Sequence, residues 1–336
     1  MRGREWHESL QGLRALAMTL VFGYHFVSLT LTGGRQLFHP VGSLGTDIFF
    51  VLAGALAYRS LIREPVSYWT YMQRRIWRIY PVYLIVFATY VVIELVLRTG
   101  RMPLPATWGV AGQYLSDILL LTALRRGWPI LDVTWALHYI FAFYLFSPVV
   151  VWPLRRIQPE WRPVALAGLW LVAMSVSETT GWYPLRTTLL VAGPMVWAAR
   201  RMWERSWVEV ALLAAGLAVR MWGTTPELKF MGTVVAVPVI VSMGLAEDGW
   251  FAKFLRWKPL VWAGGRSYSF YLLHSLPLLA INRYGFNNLT VLSAVAEGVL
   301  GYALALVMAA GMYKWVEEPL SRRGRDVCVA QGDSVG

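Results

Sequence analysis

The chain holds one cysteine, Cys328, among 336 residues, so it can form no internal disulfide and carries no cysteine-based metal motif. Charge is also scarce. Only 15% of residues are Asp, Glu, Lys or Arg, against about 25% in an ordinary soluble domain, which excludes a soluble domain with a large core. No His/Cys spacing suits zinc, so a metal site is not expected. The sequence shows no internal repeat and no low-complexity tract, and no appended soluble domain is expected. What fills the chain instead is apolar: 57% hydrophobic residues and 18 Trp, with a mean hydropathy of +0.48. This composition is that of an all-α polytopic membrane protein. The net charge of +12 does not point to nucleic acid. The bases lie in short clusters between apolar runs ("RRIWR", "LRRIQ", "ARRMWER", "SRRGR"), where they set topology.

Apolar length and flanking charge predict about ten transmembrane helices, near 11–32, 43–63, 77–98, 134–154, 163–178, 187–202, 207–222, 230–246, 262–281 and 291–316. The first run is longer than a signal-peptide core and reads as a retained helix. With the N-terminus inside, most basic clusters fall on the cytoplasmic side, so both termini are expected to be cytoplasmic. The segment "GQYLSDILLLTAL" (112–124) is too short to span comfortably and carries Asp117. As an eleventh span it would reverse every later loop, so it is expected to be an interfacial or re-entrant helix on the outer face. The domain reading is a membrane domain over 1–320 and a short cytoplasmic polar tail over 321–336, expected to be disordered.

Ionisable residues inside such spans are costly and draw attention as functional candidates. Arg14 and His25 are eleven residues apart, three turns plus about 20°, so they share one helix face about 16 Å apart along the axis. Asp47, His138 and His274 fall at the outer ends or past the middle of their spans, and Glu94 and Glu297 in outer halves. Ser267 and Tyr271 lie on one helical stripe with His274. A His and carboxylate cluster suits proton handling, with a general base and a group that orients it; buried polar residues that join helices account for the same pattern. On the cytoplasmic side, Arg74, Arg75 and Arg78 open the third span, with Arg74 and Arg78 on one face. Guanidinium groups bind phosphates in forked pairs, while topology signalling or contact with anionic membrane lipid explains them equally.

Five blocks carry a family resemblance: "LQGLRALAMTLVFGYHF", "GSLGTDIFFVLAGAL", "RRIWRIYP", "WAGGRSYSFYLLHSLPL" and "YKWVEEPLSRR". Together, in this order and over the full length, they resemble the acyltransferase-3 membrane acyltransferases. The resemblance implies an enzyme of about ten helices in the bacterial inner (cytoplasmic) membrane. It would move an acyl group, commonly acetyl, from cytoplasmic acyl-CoA (acetyl-CoA as donor substrate, with no metal) to a hydroxyl. The acceptor would be a carbohydrate, a lipid-linked sugar or a small molecule. By the same resemblance His25 is the catalytic base, Arg14 its motif partner, and Arg74, Arg75 and Arg78 the donor-binding arginines; Asp47 is a candidate orienter. The fourth-span block departs from the family: "TWALHYIFAFYLFSP" has Ala136 where serine is common and Ile140 where glutamate is common, with His138 nearby. A proton-coupled transporter, or a lipid- or glycan-handling protein without acyl transfer, is the alternative reading of the intramembrane His and carboxylates. Such transporters often show internal repeats.

Overall fold

A computed structural model describes residues 2–324, apart from short segments at 31–33, 64–66, 99, 101, 104–106, 126, 181–184, 200–205, 247–248 and 285–289. The expected disordered tail lies outside the described residues from 325 onward, whereas 321–324 are helical. In chain order the helices are α1 (Arg2–Thr30), α2 (Gly34–Arg63), α3 (Tyr68–Leu97), α4 (Trp108–Ile118), α5 (Trp135–Leu154), α6 (Arg162–Thr180) and α7 (Leu189–Ala199). There follow α8 (Ser206–Trp222), α9 (Pro226–Leu245), α10 (Trp250–Leu255), α11 (Lys258–Gly264), α12 (Ser267–Leu273), α13 (Ser275–Tyr284) and α14 (Val291–Met312). No strand occurs among the described residues, and the protein is an all-α polytopic membrane protein.

Six helical stretches among the described residues are long and apolar enough to cross a bilayer: His7–Thr30, Phe38–Ile62, Tyr68–Leu97, Asp132–Leu154, Pro226–Leu245 and Leu292–Gly324. The other four expected spans fall on α6, α7, α8 and the α11–α13 series. Val92, Val96, Val164, Leu171, Val299 and Val307 are exposed on these helices, a surface that water would not tolerate and hydrocarbon would. Exposed Trp69, Trp207 and Trp222 mark helix ends, as interfacial anchors do.

The chain divides into two compact units, one of 1–59 with 156–309 and one of 60–155 with 310–336. In the first, α1 lies against α11 and is flanked by α9, α10, α12 and α13. The α1–α11 approach requires Gly264, where an added Cβ would stand 1.6 Å from the Gln11 carbonyl oxygen. Ala15, Met18 and Phe22 of α1, Phe270 and Leu278 of the α12–α13 region, and Ala305 and Ala309 of α14 form a buried core.

The expected ninth span is not one rod. It breaks after Gly264–Gly265, where Arg266 N–H reaches back only to Ala263 O at 2.9 Å, and again at His274. Pro277 has no N–H to offer the Leu273 carbonyl, which weakens the helix at that point. The tenth span ends in a π-helical turn, Tyr313–Glu317, two residues before Pro319, where proline similarly withdraws a donor.

In the second unit, α3 starts at an N-cap, with Ser67 Oγ accepting Thr70 N–H at 3.1 Å. Tyr71 and Ser147 join α3 to α5 by a 3.0 Å hydroxyl bond. Tyr83 Oη donates to the Asp117 carbonyl at 2.7 Å, which fixes α4. The segment expected to be interfacial is α4 itself: 11 residues, about 16 Å long, with Trp108 94% exposed. It starts earlier and stops earlier than the apolar run suggests. Leu120 adopts φ 55°, Leu120 N–H bonds Asp117 O and Leu121 N–H bonds Ser116 O, each at 2.8 Å. This is a Schellman stop built on a leucine, buried to 0% exposure.

Candidate functional site

The site in the first unit grows from α1. One unbroken helix carries both Arg14 and His25, so the shared face expected from their spacing holds along the whole stretch. Arg14 is half-buried, with Nη1 donating to Gln11 Oε1 at 3.4 Å. Toward the other end, His25 meets His274, ring centroids 5.1 Å apart and tilted by 48°. His274 occupies the α12–α13 break, 1% exposed. Its Nδ1 lies 2.7 Å from Tyr271 O. A carbonyl only accepts, so Nδ1 carries the proton and, in the neutral ring, Nε2 keeps a lone pair. That Nε2 is buried with no hydrogen-bond partner among the described residues. Phe270 stacks on His274 at 6.2 Å, and Phe22 lies 6.1 Å from Phe270. These rings make an apolar floor that lowers the local dielectric, in which a hydrogen bond is stronger than in water. Ser267, on the same stripe, is buried, and Tyr271 lends its carbonyl.

A second arm of aromatic contacts leaves His25. Tyr24 lies edge-on to His25 at 5.2 Å and to His39 at 5.7 Å. The glycines of "GSLG" explain how α2 comes so close: a Cβ on Gly42 would overlap Tyr24 Cβ at 2.0 Å, and one on Gly45 would stand 2.3 Å from Ala17 O. Two residues after Gly45, Asp47 is fully buried and pairs with Arg220 of α8 at 3.2 Å. Arg220 further donates to Pro40 O at 2.7 Å, to Ser43 Oγ at 2.5 Å and to Thr233 Oγ1. Sequence reasoning passed over Arg220. The available signal was a lone arginine closing an apolar run, "LAAGLAVRMW", in a chain that already buries an aspartate.

The remaining candidates belong to the second unit. Arg74, Arg75 and Arg78 are half-buried on α3. Arg75 sits over Tyr71 at 5.0 Å and Tyr144 at 4.8 Å, a cation–π sandwich that fixes its guanidinium. His138 on α5 is 1% exposed and 6.3 Å from Tyr83. Neither of its ring nitrogens has a hydrogen-bond partner among the described residues. Outside the spans, burial pushes the Asp117 carboxyl above its ordinary 3.8, although Thr122 Oγ1 and the Ile130 N–H (2.6 Å) donate to it and Arg125 lowers it. Among the described residues no three His, Cys, Asp or Glu side chains converge as a metal site would need.

In this all-α membrane protein two imidazoles, those of His25 and His274, thus meet over an apolar floor. The chain belongs to the acyltransferase-3 family, whose acyltransferase domain model matches residues 7–314. It is 25% identical to the acyltransferase MdmB of Streptomyces mycarofaciens, over 96% of this chain and 94% of that protein. It is 25% identical to the O-acetyltransferase OatA of Staphylococcus aureus, over 94% of this chain and 57% of that protein. It is also 25% identical to YrhL of Bacillus subtilis, whose name proposes a peptidoglycan O-acetyltransferase, over 94% of this chain and 55% of that protein. The chain thus spans nearly all of the first relative and little more than half of the other two. No solved structure matches it. As a member of this family the protein is an acyltransferase of the membrane.

Proposed function

We propose that the protein is a membrane O-acyltransferase that moves an acetyl group from acetyl-CoA, bound from the cytoplasm, to a hydroxyl of a carbohydrate on the outer side of the bacterial inner membrane. The observation that carries this reading is the His25–His274 pair, 5.1 Å apart, in a chain of acyltransferase family membership. The relatives' names, O-acetyltransferase and a proposed peptidoglycan O-acetyltransferase, favour acetyl and a glycan.

In this mechanism the arginines Arg74, Arg75 and Arg78 of α3 bind the donor's phosphates, guanidinium forks matching phosphate oxygens, and Arg14 marks the cytoplasmic end of α1. The thioester then reaches His25, about 16 Å along α1 from Arg14. His25 takes the proton of the acceptor hydroxyl as its oxygen bonds to the thioester carbonyl carbon. The C–S bond breaks, the sulfur leaves with its electron pair as thiolate, and the imidazolium returns the proton to it. The products are an ester and free thiol, with no net proton change. The His274 ring packs against the His25 ring, and the apolar floor excludes competing water. Asp47 serves by anchoring Arg220 of α8 against α2.

The test is acetyl-CoA consumption by the purified chain in lipid nanodiscs. His25→Ala is expected to abolish transfer while the fold survives, and Arg78→Ala to raise the Michaelis constant for acetyl-CoA with little change in kcat. Full transfer by His25→Ala would refute the base assignment. Unchanged donor dependence in Arg78→Ala together with lost stability would leave α3's arginines as topology signals.

A further inference from the structure

One cavity of the first unit is lined by none of the arginines assigned to the donor. It measures about 530 Å³, within the ~300–1,000 Å³ of small-molecule sites. Its wall combines three kinds of surface. Arg220, Ser43 and Thr233 supply a guanidinium and two hydroxyls at its buried side. Lys229, Glu227 and Thr224 supply a cation, a carboxylate and a hydroxyl at its exposed side. Pro40, Pro226 and Phe230 supply apolar faces. Donors and acceptors set among flat apolar patches match a sugar unit, whose ring faces are apolar and whose rim is hydroxyl. The charge of Arg220 is met by Asp47 at 3.2 Å and its hydrogen bonds go to Pro40, Ser43 and Thr233, so the buried side of the cavity is polar but charge-compensated, which suits a neutral ligand.

Ring contacts lead from the cavity wall to the imidazole pair. His39 lines the cavity, Tyr24 touches His39 at 5.7 Å, and His25 touches Tyr24 at 5.2 Å. A hydroxyl extending from the cavity along this aromatic edge leads to the reacting end of α1.

We propose that the cavity over Arg220 is the acceptor subsite, taking one neutral carbohydrate unit of a glycan and presenting its hydroxyl to His25 past Tyr24 and His39. This rests on the acyl-transfer reading, and it adds Arg220, Thr224 and Lys229 as acceptor-binding residues.

The experiment uses the full chain in two measurements: acetyl esters on envelope glycans of cells that produce it, by mass analysis, and acetyl-CoA affinity of the purified chain, by calorimetry. Thr224→Trp fills the cavity mouth from an exposed position, and Lys229→Glu reverses a rim charge; neither disturbs the buried pair. Both are expected to lower glycan acetylation about tenfold or more with donor affinity unchanged. Leu228→Trp, exposed on the same helix but outside the cavity, is expected to acetylate as the unaltered chain does. Wild-type acetylation by both Thr224→Trp and Lys229→Glu overturns the subsite. So does loss of donor affinity in step with transfer, because the cavity would then serve the donor or the fold. Failure of the broader reading looks different: the unaltered chain itself would add no acetyl group to glycan or would not bind acetyl-CoA.

Discussion

The Asp47–Arg220 pair allows a quantitative test. Asp47→Ala removes a carboxylate with 0% side-chain exposure from a guanidinium with 6%, at a separation of 3.2 Å. At an effective dielectric constant near 20 that attraction amounts to about 5 kcal/mol. Solvent screening needs little discount at such burial. Arg220 keeps hydrogen bonds to Pro40 O, Ser43 Oγ and Thr233 Oγ1, so its protons remain partnered while its charge does not. Breaking a buried pair from one side costs about 3–5 kcal/mol. At about 2–4 °C per kcal/mol for a unit of this size, the transition should fall by on the order of 10 °C. Removing both partners is different: Asp47→Leu with Arg220→Met should cost much less than the single changes added together, a coupling of about 3 kcal/mol. Thermal unfolding in detergent, followed by the fluorescence of the 18 Trp, reads all four corners of the cycle. A loss below about 1 kcal/mol for Asp47→Ala, or simple additivity in the double variant, would refute the reasoning.

Asp117 gives a pH prediction. Burial raises its carboxyl pKa above 3.8, so the folded protein holds that proton more tightly than the unfolded chain does. Its contribution to stability is therefore full below pH 3.8 and is lost as pH rises through the higher folded value. Asp117→Asn should flatten this dependence in hydrogen exchange at α4 as pH rises above 3.8; an unchanged slope would assign it to another group. At Gly264, substitution by alanine puts a methyl carbon 1.6 Å from the Gln11 carbonyl oxygen. Backbone must move, so Gly264→Ala should cost about 1–3 kcal/mol or more and reduce folded yield on size exclusion, whereas Gly168→Ala, which meets nothing within 4 Å, should not.

Local pattern carried much of this arrangement, and non-local packing carried the rest. The Arg14–His25 face followed from helical periodicity, and the shortness of the Asp117 segment from counting residues against bilayer thickness. Where α4 stops was hidden, because the left-handed position of its Schellman turn is held by Leu120, a residue type with no preference for it. The break at His274 was written in Pro277 but masked by the apolar run around it. Arg220 was invisible for another reason. Its partners Ser43 and Asp47 lie more than a hundred residues away in sequence, and only the packing of α8 against α2 brings them together. The α3 arginines read from sequence as equals, yet Arg75 is held between two tyrosines.

The unbroken course of α1 has a consequence for insertions and deletions. A helix keyed to its neighbours along its length acts as a gauge whose graduations are residues. One residue added or removed between Arg14 and His25 would advance or retard everything beyond it by about 100° and 1.5 Å, turning the imidazole away from His274 while leaving composition and hydropathy almost untouched. The count of residues between the two is therefore under as strict a constraint as their identities.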